Sequence, residues 1–410
     1  MSCKVMSLPP AAFVALERAL CLPLLDVRSP AEYARGHVPR ALSAPLLSDA
    51  AHAETGTVFV RDGRAAAAVV ALAHAGPALS ALAATALSLV EQRQKRPPPA
   101  SASCGVASSA GVDAPQLLVT CARGGMRSAS VAWLLSEVLG IRVATLAGGY
   151  KAFRAHVLAS FAADLPIALV GGATGCGKTR VLASLHARGE AVVDLEHLAA
   201  HAGSVFGAVS RPHFRSLDAS TGPAPDADTQ LLGRQPSQEE FENLLFDEID
   251  ALRPRLRSDA NRSGGLLWLE DEARTIGRRG IPPALLEQMR LAPVYLLQVP
   301  LEQRVRHALD DYAAAPREAL VAGTRRLVKR LGHERAKEAE RLLLAGDLEN
   351  AARILLSYYD RAYHLALLAK KKGSSAVVAL APTEGGNNER PFDADGWAER
   401  LTKLAYADRI

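Results

Sequence analysis

Aromatic residues are scarce. Trp, Tyr and Phe together make up 5% of the 410 residues, and alanine stands in many places where larger apolar side chains are usual. Cysteine is scarcer: Cys3, Cys21, Cys104, Cys121 and Cys176 are widely scattered, and no C-x-x-C pair occurs. That excludes a disulfide framework and a cysteine-built zinc cluster. No apolar run follows the N-terminus, so the sequence predicts no secretory leader; with unpaired cysteines it points to a reducing, cytoplasmic compartment. No repeat of fixed period is present. Neither charge sign dominates: 48 Lys and Arg against 43 Asp and Glu leave +5, which permits a nucleic-acid partner without demanding one. One segment, residues 65–90, lacks Asp, Glu, Lys and Arg altogether. It has the length of a membrane span, but it is mostly alanine and carries His74 and the pair Gly76-Pro77. It predicts two short helices broken at Pro77, and no membrane.

What is present is ordinary globular composition, 49% hydrophobic and 22% charged. The length suits roughly two to three domains. Short apolar runs at 22–27, 117–120 and 143–146 alternate with helical stretches, one of them 128–139. A second series begins at 166–170 and continues at 191–194, 266–269 and 294–299. This alternation predicts an α/β fold with parallel sheets. After residue 300 the pattern turns helical, with amphipathic stretches such as 325–344. The expected division is 1–157, then 158–300, then a helical region over 301–410. Two segments rich in Pro, Ser and Gly, 96–115 and 216–238, read as flexible insertions.

The run QLLVT leads into CARGGMRS, placing Cys121 at a strand end with a helix to follow. Gly124 and Gly125 let backbone N–H groups converge, while Arg123 and Arg127 add fixed positive charge. Such surroundings favour a thiolate, the nucleophilic form, and would hold an anion beside it. Cys121 is the candidate catalytic residue; Arg123, Gly124, Gly125 and Arg127 are the candidate anion ligands.

A second loop, GGATGCGKTR, follows the apolar run at 166–170. Residues 172–179 spell G-x-x-x-x-G-K-T between a strand and a helix, the context this phosphate-binding motif requires. Gly172, Gly175 and Gly177 free the backbone to cradle phosphate, Lys178 reaches its outer oxygens, and Thr179 can hold a magnesium ion. Cys176 reads as a small filler. The strand LLWLEDE ends in acids, so Glu270 or Asp271 is the candidate carboxylate beside a metal; no other cofactor is indicated.

DVRSPAEYARGHVPRAL (26–42), the Cys121 loop and LAGGYKAF (146–153) resemble the rhodanese family, which carries sulfur on the loop cysteine. One departure is that Cys121 to Arg127 spans C-x5-R, one residue longer than the common rhodanese loop. In that it resembles dual-specificity phosphatases on the same fold. A rhodanese-like domain followed by a phosphate-binding loop domain resembles the tRNA 2-selenouridine synthase family. VDLEHLAAHAGSVFG (193–207), SQEEFENLL (237–245), WLEDEARTIG (268–277) and YYDRAYHLALLAKKK (358–372) extend the similarity over nearly the whole chain.

The resemblance implies a transferase acting on tRNA with 2-thiouridine at the wobble position. Selenium from selenophosphate replaces the sulfur through an S-geranylated intermediate made from geranyl diphosphate. On this reading the Cys121 loop holds selenophosphate and the 172–179 loop holds the diphosphate. The competing reading is a rhodanese-fold phosphatase fused to a small-molecule kinase. Arg325, Arg326, Lys329 and Arg330 form one basic helix face that suits an RNA backbone or plain solvent. Asp194, Glu196, His201, Phe206, Glu272, Arg274 and Arg278 are further candidates around the phosphate site. Tyr358, Tyr359 and Tyr363 can stack on a base. Arg28 and Glu32 read as local ion-pair partners. Oligomeric state is not legible.

Overall fold

The computed structural model describes residues 5–95, 114–204, 206–207, 235–256, 264–312, 314–371, 376–381 and 392–407. Nearly all of the two proposed insertions lies outside these residues, as do Lys372 and the side chains of Lys370 and Lys371. The chain divides into two units, Met1–Ser160 and Phe161–Ile410.

The first unit is built on a parallel sheet of five strands: β1 (Met6–Leu8), β2 (Leu24–Asp26), β3 (Leu42–Ser43), β4 (Leu117–Thr120) and β5 (Val143–Leu146). Their order is β1-β5-β4-β2-β3. The central strand β4 reads LLVT and all four residues are buried. A parallel strand covered on both faces needs such a continuous apolar run. On one face Val119 and Leu117 pack with Leu25, Val131, Leu135 and Val143.

Between β3 and β4 runs a helix, Asp49–Lys95. Pro77 does not break it, contrary to expectation. The interruption falls at Gly63, which alone leaves helical geometry (φ +84°, ψ −175°). Proline already has helical φ and removes one backbone bond, whereas glycine readily takes the left-handed half of the map. Ala51, Ala67, Ala75, Leu82, Ala86 and Val90 on this helix are buried. By length and composition alone the helix is long and apolar enough to cross a membrane.

The second unit holds β6 (Ile167–Gly172), β7 (Ala191–Val192), β8 (Leu267–Glu270), the antiparallel pair β9 (Thr275–Ile276) and β10 (Arg279–Gly280), then β11 (Val294–Leu297) and β12 (Val377–Leu380). The main sheet is parallel throughout, in the order β12-β11-β6-β8-β7. Strand β6 lies at its centre, so the loop leaving β6 opens at the carboxyl edge where doubly wound sheets place ligands. Trp268, Tyr295, Val170, Leu182, Trp397 and Leu401 form the core over one face.

The region after residue 300 is not wholly helical, because Val377–Leu380 closes the sheet edge as β12. The stretch 325–344 is also not one helix. It is divided among helices Arg317–Arg326, Val328–Leu331 and His333–Ala345. Gly332 between the last two sits at φ +90°. A separate apolar cluster ties these helices to Leu348–Lys371 through Leu320, Leu327, Leu331, Leu343 and Leu355.

Leu118 is fully buried in β4. Leu118→Ala is expected to lower unfolding free energy by about 2–5 kcal/mol in urea titration. A loss under about 1 kcal/mol would mean that β4 is not the packed centre of its sheet.

Candidate functional site

The first centre lies at the carboxyl end of β4. Cys121 follows Thr120 directly and is only 2% exposed. Its Sγ is 3.1 Å from Ser128 Oγ, which lies 3.3 Å from Gly125 O. The loop is pressed against the turn after β5. The Tyr150 N–H donates to Cys121 O at 2.8 Å, and the Lys151 N–H donates to Ala122 O at 3.0 Å. The first donors of helix Gly149–Ser160 thus consume the loop's carbonyls.

Two glycines permit this approach. Gly124 has φ +62°, and a Cβ there would lie 2.7 Å from Gly148 N. Gly149 has φ +59°, and a Cβ there would lie 2.7 Å from Arg123 N. Gly125 caps helix Met126–Trp133 with no side-chain bond, which leaves that helix's first N–H groups open to an anion.

Arg127 is placed differently from the expectation of an anion ligand. Its guanidinium forks onto Glu32 at 2.6 and 3.1 Å. Glu32 also accepts the Ser29 N–H at 3.0 Å in a capping box. Burial works against the Glu32 charge, but the Arg127 bonds, the Ser29 N–H and the Arg127 charge outweigh it and bring its pKa down to about 2. Arg123 is exposed. Arg28 forks onto buried Asp26, with its guanidinium 3.9 Å from the Tyr150 ring centre.

The second centre surrounds residues 172–179. Gly172, Gly175 and Gly177 sit at φ +150°, +79° and +87°. A Cβ on Gly177 would lie 2.7 Å from the Phe392 ring, so backbone alone fits there. Gly177 caps helix Lys178–Ala187. Lys178 Nζ lies 3.4 Å from Gly172 O. Burial opposes its charge, yet Cys176, Glu272 and Glu196 hold the ammonium above its ordinary range. Thr179 Oγ1 stands 3.5 Å from Glu196 Oε2. Burial pushes the Cys176 thiol up, in keeping with an inert filler.

Helix Leu301–Tyr312 supports this loop from outside, a role the sequence did not reveal. Arg304 Nη1 donates to Thr174 O at 3.3 Å while its fork holds Asp360 at 2.6 and 2.8 Å. His307 Nδ1 lies 2.7 Å from Gly175 O. Burial keeps His307 below its ordinary pKa, so it stays neutral and the Nδ1–H tautomer can donate. In sequence, these two residues look like the polar face of an amphipathic helix.

A cavity of about 910 Å3 opens from the loop. Lys178, Thr179, Glu196, Asp271 and Glu272 line its polar end; Phe206, Leu320, Leu343 and Leu355 line an apolar end. Of the two candidate acids, Asp271 lines the cavity and Glu270 does not. Glu270 is fully buried and its Oε2 accepts the Leu195 N–H at 2.9 Å. Burial, with Asp194 and Glu196 nearby, raises its pKa well above its ordinary value. Asp194 caps helix Leu195–Leu198 through the His197 N–H at 2.7 Å.

Phe206 meets Tyr312 edge-on at 6.2 Å. His201 lies half-buried beside Gly207 and Gly277, and burial lowers its pKa. Arg274 and Arg278 are exposed. Tyr359 and Tyr363 line the cavity, while Tyr358 packs edge-on against Tyr359. Arg325 pairs with Glu340; Arg326, Lys329 and Arg330 are exposed, but on two helices rather than one. Among the described residues, no group of three or more His, Cys, Asp or Glu side chains is arranged to hold a metal.

Glu32→Gln is expected to loosen Arg127 and lower stability at neutral pH. Because folding depresses the Glu32 pKa from 4.5 to about 2, its contribution is complete above pH 4.5 and fades as pH falls through 2. Acid titrations of the two proteins should therefore converge toward pH 2. Parallel curves from pH 7 to 2 would count against the pair.

Residues 12–156 match the profile of the rhodanese-like domain. Residues 165–218 and 229–379, together half of the chain, match the tRNA 2-selenouridine synthase AAA domain. A solved structure, the N-terminal domain of a putative ATP/GTP binding protein from Clostridium difficile 630, is 28% identical over 38% of this chain and 99% of its own, with a TM-score of 0.29. The cysteine loop on one parallel sheet and the phosphate cradle on the next thus fall within matched regions, and the chain belongs to the tRNA 2-selenouridine synthase family of tRNA-modifying enzymes.

Proposed function

We propose that the chain exchanges the sulfur of a 2-thiouridine in tRNA for selenium in two steps. The first is prenylation of the sulfur from geranyl diphosphate. The second is attack of the selenophosphate selenium on C2, which expels the prenyl thiol, followed by hydrolysis of the phosphorus–selenium bond to leave 2-selenouridine and inorganic phosphate. The observation that carries this reading is the cavity, which joins an oxyanion cradle to an apolar wall. A molecule with a diphosphate head and a hydrocarbon tail matches both ends.

In the first step the sulfur attacks the prenyl carbon next to oxygen, the carbon–oxygen bond breaks, and diphosphate leaves. Lys178 and the backbone N–H groups of 172–179 neutralise the departing charge. A magnesium ion would supply further neutralisation there; it commonly takes one or two protein oxygens and completes its shell with water and phosphate. Thr179 and Glu196 fit that donor set. Alkylation turns a poor leaving group into a good one, which is the chemical reason for the prenyl detour.

Selenophosphate, a small tetrahedral anion, is assigned to the Cys121 loop. The uncapped start of helix Met126–Trp133 and exposed Arg123 support that assignment. Arg326, Lys329 and Arg330 offer positive charge to an RNA backbone.

The test is nucleoside mass spectrometry of 2-thiouridine tRNA incubated with geranyl diphosphate and selenophosphate. Lys178→Ala is expected to lose geranylation by about 100-fold or more yet still selenate pre-geranylated tRNA. Cys121→Ala is expected to accumulate geranylated tRNA. Reversed phenotypes would exchange the two loops' roles, and absence of both products from the unaltered protein would remove the reading.

A further inference from the structure

Helix Leu348–Lys371 presents Leu348, Ala352, Leu355, Leu356, Tyr359 and Tyr363 to the same cavity. These positions follow successive turns of one helix face. The face is polar at one end. Tyr363 stands over the start of the phosphate loop, where a Cβ on Gly171 would lie 3.0 Å from its hydroxyl oxygen. That hydroxyl is buried and donates to no acceptor among the described residues, while the Gly172 N–H faces its oxygen. Burial, together with the charge of Asp271, keeps the phenol protonated, so it is a donor awaiting an acceptor. A buried donor without a partner is costly unless a ligand supplies one.

Away from Tyr363 the wall becomes hydrocarbon. At 1.5 Å of rise per residue, Leu356 lies roughly 10 Å along the helix from Tyr363, Ala352 about 16 Å and Leu348 about 22 Å. A geranyl chain has eight main-chain carbons, and an extended zigzag advances about 1.25 Å per bond, so it spans at most roughly 9 Å; a farnesyl chain, with twelve, reaches about 14 Å. Tyr359, Leu356 and Leu355 flank the shorter chain. Among the described residues that line the cavity from this helix, Ala352 is the one small side chain, and it falls close to where the longer chain would end.

Resting on the proposed prenyl transfer, we propose that this helix face is a chain-length gauge. The Tyr363 hydroxyl donates to the diphosphate, and the gap at Ala352 admits a C15 prenyl diphosphate as well as C10. The substrate class is therefore prenyl diphosphates up to C15. Leu348 closes the wall beyond.

The experiment measures affinity of the full chain for the unreactive thiolo-diphosphate analogues of geranyl and farnesyl diphosphate, alongside inorganic diphosphate. The unaltered protein is expected to bind both analogues within about tenfold of each other. Ala352→Phe should keep the C10 affinity and weaken C15 by about tenfold or more, with Ala352→Leu between; retained C10 binding also reports that the variant folds. Tyr363→Phe should weaken inorganic diphosphate and both analogues alike. If C10 binds but C15 does not, or if Ala352→Phe lowers both equally, the gauge is wrong while prenyl binding stands. If Tyr363→Phe leaves all three affinities unchanged, the donor role is wrong. If neither analogue binds although inorganic diphosphate does, prenyl transfer itself falls.

Discussion

Both candidate anion sites depend on turning backbone carbonyls outward. A loop that offers N–H groups to an anion must send its C=O groups elsewhere, and a buried carbonyl without a donor is costly. The cysteine loop solves this with backbone: the first N–H groups of helix Gly149–Ser160 take Cys121 O and Ala122 O. The phosphate loop solves it with side chains, Arg304 on Thr174 O and His307 on Gly175 O. The Asp360 fork fixes Arg304, and neutrality suits His307 to its donor role. Each anion cradle is therefore as rigid as the element behind it, and rigidity is what lets fixed dipoles stabilise a charge that appears during reaction.

The phosphate site also carries a dense set of acids. Glu196 and Glu272 hold the Lys178 charge in place, while burial and the neighbouring Asp194 and Glu196 disfavour a further charge on Glu270. The diphosphate proposed for this site would enter a field that the carboxylates oppose. The ammonium, the helix N-terminus and the loop N–H groups tip that balance.

Much of this was legible in the sequence, for physical reasons. Buried parallel strands demand unbroken apolar runs, so β2, β4, β5, β6, β8 and β11 stand out. The strands of the two main sheets that escaped notice, β1, β3 and β12, are short and partly exposed at sheet edges, and their residues carry no such signature. Glycine spacing located both loops, because only glycine tolerates the required φ and close approaches. Arg304, His307 and the exact station of Tyr363 were not visible, since tertiary packing alone brings residues more than a hundred positions apart to the loop. Pro77 misled because alanine neighbours sustain a helix through it. The expected single basic face failed at the break after Arg326.

The last strand of the main sheet has a consequence for how the second unit is made. Strand β12 pairs with β11 only after some eighty intervening residues, and helix Ala394–Ala407 covers the core beside Trp268 later still. On a ribosome, β6 and its glycine loop emerge long before the edge that shields their neighbour. The nascent unit therefore holds an apolar sheet margin open until β12 and helix Ala394–Ala407 have been made.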